Sequence, residues 1–173
     1  MIVRLAIPAD LSAILNVMEA ARGIMRASGN PFQWPEGYPT ADMVLADIDR
    51  SVGYVFEENG QAVAYFACIP GPDPTYGYIE DGAWIDDTLP YLVIHRIASY
   101  PQVHGIFAAI IGFAAARTDN IRIDTHRDNR IMQGLLERHG FTYCGVIYLK
   151  NGAPRLAYQR LQPLKEHSSG KDR

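Results

Sequence analysis

Between residues 91 and 141 a hydrophobic strand, YLVIHRIASY, passes through a Pro- and Gly-containing turn, PQVHGIF, into an apolar helix, AAIIGFAAAR. That order leaves backbone N–H groups unpaired at one spot. A helix start carries up to four free amide donors and about half a positive charge, so a strand ending there forms an anion cradle suited to a phosphate or diphosphate. A second strand and helix follow, IRIDTH and DNRIMQGLLERHGF. Two such units side by side predict a nucleotide-tailed cofactor lying across strand ends.

Upstream, a short strand near Ile2 to Ala6 precedes a helix in which Leu11, Ile14, Leu15, Met18 and Met25 recur at three- and four-residue spacing, with Pro8 near its first turn. The run SGNPFQWPEGYP breaks that helix, and a second one is predicted to Asp49 behind Thr40 as its cap. Strands near Val52 to Phe56 and Gln61 to Cys68 form a hairpin through Asn59 and Gly60. Residues 70–90, rich in Pro, Gly, acids and aromatics, read as a functional or mobile loop. Gly140 is expected to stop the last helix in the left-handed conformation, and a final hairpin runs from Phe141 to Leu149 and from Pro154 to Leu161 about Asn151 and Gly152.

With 173 residues and 48% hydrophobic content the chain suffices for one domain, expected over residues 1–162, with a polar tail at 163–173. A net charge of −3 without long basic runs gives no electrostatic reason to hold nucleic acid or an anionic membrane. No segment approaches the roughly 18 apolar residues that cross a bilayer, and the start lacks a leader pattern, so a cytoplasmic protein is expected. Cys68 and Cys144 lack metal or redox spacing and read as buried apolar fillers.

Gln102-Val103-His104-Gly105-Ile106-Phe107-Ala108, followed at the appropriate distance by Asn129 and by Leu135-Leu136-Glu137-Arg138-His139-Gly140-Phe141, resembles two signatures of the GNAT N-acetyltransferase superfamily. These are its Q/R-x-x-G-x-G/A loop and its N…L-Y-E-K-x-G-F string. The resemblance covers most of the chain and implies an α+β fold: a mixed, mostly antiparallel sheet of about seven strands, flanked by about four helices, whose parallel fourth and fifth strands splay apart. It also implies acetyl transfer from acetyl-CoA to a primary amine, small-molecule or peptide, in a ternary complex. A homodimer stays open as an assembly.

By the same resemblance the diphosphate of acetyl-CoA would rest on amides of Val103, His104, Gly105, Ile106, Phe107 and Ala108. Gly105 lets the backbone come close. Phe107 replaces a small residue of the signature, which either narrows the cradle or turns its ring into the core. The pantetheine arm would run beside Ile97, Ala98 and Ser99, whose amides would face the thioester oxygen, and Asn129 would reach the cofactor from the next helix.

An ammonium has no lone pair, and for an amine of pKa about 10.4 the neutral form at pH 7 costs about 4.6 kcal/mol, so a base is worth seeking. The family's usual Glu position is Tyr91 here. Tyr91, Val93 and His95 share a face by strand alternation, which makes His95 the candidate base, directly or through water, against the plainer reading of a hydrogen-bonded sheet-end histidine. The usual acid is replaced by Leu136; Tyr143 or Tyr148 is the substitute, although a thiolate of pKa about 8.5 leaves tolerably unaided. Gln33, Trp34 and Tyr38, with Tyr91 and His126, are the candidate acceptor contacts, Trp34 having the alternative of a core plug. Glu80, Asp81, Trp84, Asp86 and Asp87 are placed to attract a cationic amine, and Arg117, Arg122, Arg127 and Arg130 either reach the adenosine phosphate or form a solvated face. No H-E-x-x-H spacing joins His95, His126 and His139, so no metal is expected. Because both usual acid–base positions are substituted, a non-catalytic acyl-CoA-binding module remains the second reading.

Overall fold

The computed structural model describes residues 1–162; the predicted tail lies outside them. The chain runs β1 (Ile2–Leu5), α1 (Leu11–Ala27), α2 (Ala41–Asp49), β2 (Gly53–Glu58), β3 (Gln61–Pro70), β4 (Leu92–Ser99), α3 (Ile106–Ala115), β5 (Asn120–Thr125), α4 (Arg130–Arg138), β6 (Thr142–Tyr148) and β7 (Pro154–Leu161). The seven strands form one sheet in the order β1-β2-β3-β4-β5-β7-β6, with β4 and β5 parallel and every other pair antiparallel.

Strand alternation divides the core between the two faces of this sheet. On one, Phe56, Phe66, Ile94, Ile121 and Ile123 pack against Ile110 and Ala114 of α3 and Leu136 of α4. On the other, Val55, Tyr65 and Ala98 meet Ile14, Val17 and Met18 of α1 and Val44 of α2. Cys68 and Cys144 are unpaired and buried, as expected of apolar fillers. The end signals hold: Thr40 Oγ1 accepts from the Met43 amide at 3.2 Å, and Asn59, Gly60 and Gly140 take positive φ.

Residues 70–90 form a pinned strap rather than a mobile loop. Tyr76 and Trp84 are buried against Val93, Cys144 and Ala157, and the Ile85 amide donates to Gln159 Oε1 at 2.7 Å. Glu80 pairs with Val146 as an isolated bridge, and a Cβ on Gly82 would sit 2.0 Å from the Cys144 carbonyl, so that crossing requires glycine. Arg122 is not a phosphate ligand. It is buried under the strap between the rings of Trp84 and Tyr91 and donates to the Asp86 carbonyl and the Asp87 carboxylate. Asp86 and Asp87 are thereby tied to the strap's own structure.

Among the described residues no helix is long and apolar enough to cross a membrane.

Candidate active site

β4 and β5 pair only at Leu92 with Ile121 and Val93 with Arg122. Beyond that point the strands separate, while β5 keeps β7 as a partner along its whole length. The cause sits in β4. Ala98 opposes Tyr65 and His95 opposes Ala67, so Arg96 and Ile97 together face Phe66 in a bulge, which bends the strand. Arg96 adopts φ 55°, a conformation that costs an ordinary side chain about 1–3 kcal/mol. It is held there by two hydrogen bonds to the buried Asp47 carboxylate of α2, at 2.9 and 2.7 Å, and Tyr65 donates to the same group at 2.6 Å. Tyr100 donates to Val63 in β3, so the alternation of amide directions turns Ser99 and Ile97 toward the gap.

The gap opens into a cleft of about 450 Å³, within the range of small-molecule sites. Its lining includes Ile97, Ala98 and Ser99, then Val103, His104, Gly105, Ile106, Phe107 and Ala108 at the start of α3, and Asn129 at the start of α4. Gly105 sits at φ 77° with open space where a Cβ would stand. The Val103 amide is already used, donating to the Tyr100 carbonyl at 3.1 Å. The cradle therefore begins at His104: among the described residues the amides of 104–108 have no backbone or side-chain acceptor. Phe107 turns its ring into the core, edge-on to His139.

Asn129 faces the cleft with its polar atoms engaged: Oδ1 caps α4 by accepting from the Met132 amide at 3.0 Å, and Nδ2 donates to Gln33 Oε1 at 2.8 Å. Asn30, missed in the sequence, also donates to Gln33 Oε1, and its side-chain Oδ1 is buried on the cleft with no partner among the described residues. Such an orphaned acceptor fits an amide N–H of a pantetheine arm.

His95 lies two residues before Ile97 and lines neither cleft. Its Nε2–H donates to Asp73 Oδ2 at 2.9 Å, which leaves Nδ1 as the free lone pair, 3.8 Å from Asp124 Oδ2. Asp124 in turn accepts from Tyr76 Oη at 2.7 Å. Burial alone would raise the Asp73 carboxyl, but hydrogen bonds from His95 and from the Thr75 hydroxyl and amide outweigh it and hold the group at about 2.

A second cleft, about 730 Å³, lies at the end of β5 between residues 32–38 and the β6–β7 hairpin. Gln33, Tyr38 and His126 line it, as does Arg155, which sequence reading passed over. Three expectations need correcting. Trp34 is 6% exposed and packs among Ala21, Val44 and Tyr65, so it is the core plug and not an acceptor wall. Tyr91 stacks on Arg122 and accepts from the Asp73 amide at 2.9 Å; it supports the strap and lines neither cleft. Tyr143 is 48% exposed and edge-on to Tyr158, whose ring packs on the α3–α4 face, opposite His95. It therefore does not reach His95. Leu136 is fully buried, leaving no hydroxyl at the usual acid position.

No protein-family model and no curated protein matches this sequence. Solved structures do. An acetyltransferase of the GNAT family from Streptococcus agalactiae 2603 is 34% identical and superposes with a TM-score of 0.82, the match covering 94% of this chain and 95% of that one. The chain belongs to the GNAT acetyltransferase family. Two further matches share the GNAT fold: a GNAT-family acetyltransferase from Listeria monocytogenes 4b F2365, at 20% identity and TM-score 0.62 over 93% of this chain and 94% of that one, and a chain of the NatC complex bound to Gag peptide and CoA, at 11% and 0.55 over 94% and 98%. In this GNAT chain the separated β4 and β5, the left-handed Gly105 and the unpaired amides of 104–108 all meet at one cleft.

Proposed function

We propose that residues 1–162 form one acetyltransferase domain that moves an acetyl group from acetyl-CoA to a primary amine by direct attack in a ternary complex. The observation that carries this reading is the gap beyond Val93, toward which Ile97 and Ser99 turn and which leads to the unpaired amides of 104–108 at the start of α3. The diphosphate is assigned to the amides of 104–108, the arm to the gap beside Ile97 and Ser99, and one arm amide to Asn30 Oδ1.

The thioester carbonyl then lies against the Ile97 and Ser99 amides, donors fixed before reaction and aimed at the charge that develops on oxygen. The amine nitrogen forms a bond to that carbon as the C–S bond breaks and the sulfur leaves as thiolate. A thiol of pKa about 8.5 needs no acid to leave, consistent with Leu136 at the acid's position. The amine's proton passes to His95 Nδ1 through a water, since His95 lines neither cleft, while Asp73 fixes the ring's tautomer and Asp124 attracts the ammonium.

The test is release of free CoA thiol from acetyl-CoA with a panel of primary amines. Amine-dependent release is the expected result. Thermal stabilisation by CoA without release under any amine would instead establish a binding module.

A further inference from the structure

Arg155 in β7 is 9% exposed and faces the second cleft. Among the described residues its one side-chain hydrogen bond runs from Nη1 to the neighbouring Pro154 carbonyl at 2.9 Å, and no carboxylate lies within ion-pair distance of it. Buried arginines ordinarily have such a partner, because taking a charge out of water without one is expensive. His126 lines the same cleft, and its Nδ1 accepts from the Asp128 amide at 3.0 Å, so its remaining donor is Nε2–H. Arg127 adds an exposed positive charge at the rim, and no aspartate or glutamate is among the residues lining the cleft.

We propose that this cleft binds the acceptor by a carboxylate, through the guanidinium of Arg155 and Nε2–H of His126, so that the acetylated amine belongs to an amino acid. This rests on the acetyl-transfer reading above. Across one face of the sheet, His95 on β4, Asp124 on β5 and Arg155 on β7 follow in strand order, which puts a carboxylate and a free lone pair on the amine's side and a cation on the acid's side. A planar carboxylate matches the guanidinium fork and balances its single charge. A phosphate brings up to two charges against one buried cation near Asp124, and fits less well.

Thiol release measured with amino acids of graded chain length, each beside its primary amide and a matched aminoalkyl phosphate, tests this. At least one acid is expected to exceed its amide in kcat/KM by about tenfold to a hundredfold, the worth of a charge-assisted pair. Arg155→Met should bring that ratio to near unity by raising KM for the acid, and Arg155→Lys should keep part of it. Equal rates on acids and amides in the wild type, or a preference for the phosphate, overturn the proposal while acetyl transfer stands, and need no variant to fold. Absence of thiol release with every amine overturns acetyl transfer and this proposal together.

Discussion

In the proposed reaction His95 takes the amine's proton, and its place on that face was legible because alternation along Tyr91, Val93 and His95 stays regular up to Arg96. Its partners were not. Asp73 sits in a Pro-flanked strap and Asp124 on the next strand, beyond α3, and neither separation leaves a local pattern. Arg155 was masked differently: in PRLAYQRL the alternation draws attention to Leu156 and Tyr158, while Arg155, Ala157 and Gln159 are the residues buried on the other face. His95→Gln keeps a hydrogen bond to Asp73 and removes the base, so kcat should fall about a hundredfold, with CoA affinity measured by calorimetry unchanged. Asp73 gives a pH prediction. Its folded value of about 2 lies below the ordinary 3.8, so the ionised group stabilises the fold above pH 3.8 and that contribution fades as pH falls toward 2. Asp73→Asn should therefore lower Tm at pH 6, and the Tm values of variant and wild type should converge near pH 2.

At the scale of elements, the strand, turn and helix order around residue 105 needed only local rules, and helix starts and hairpins landed where caps and Asn-Gly turns placed them. The bulge escaped notice because strict alternation continues Tyr91, Val93, His95 to Ile97 on one face. The structure instead puts His95 and Arg96 in succession on the α1–α2 side and Ile97 among the α3–α4 contacts, stabilised by Asp47, a partner forty-nine residues away. Gly105 is required for its conformation rather than for space, since nothing crowds the position of a Cβ. A β-branched residue at φ 77° is strained by about 1–3 kcal/mol, and relief of that strain would tilt the free amides away from the anion. Gly105→Val should weaken CoA binding by about tenfold or more while leaving the far-ultraviolet dichroism of the fold in place.

For the molecule as a whole, seven strands and four helices were readable from the sequence, and the family resemblance supplied the parallel, splayed fourth and fifth strands; the place of β7 between β5 and β6 came only with the structure. The strap over residues 70–90 was not readable, because its anchors are contacts to distant strands: Gln159 with Ile85 and Asp86, and Arg122 with Trp84, Asp86 and Asp87. Those ties hold Asp73 and Tyr76, with Asp124, beside His95, while the Asp47 tie bends β4 away from β5, so one sheet carries both the His95 cluster and the gap. A crystal structure grown with CoA tests this division of labour most directly. Density for the diphosphate on the amides of 104–108, with the arm running between β4 and β5 past Ser99, is the predicted result; coenzyme bound at any other surface, or strands drawn together along the gap, would contradict it.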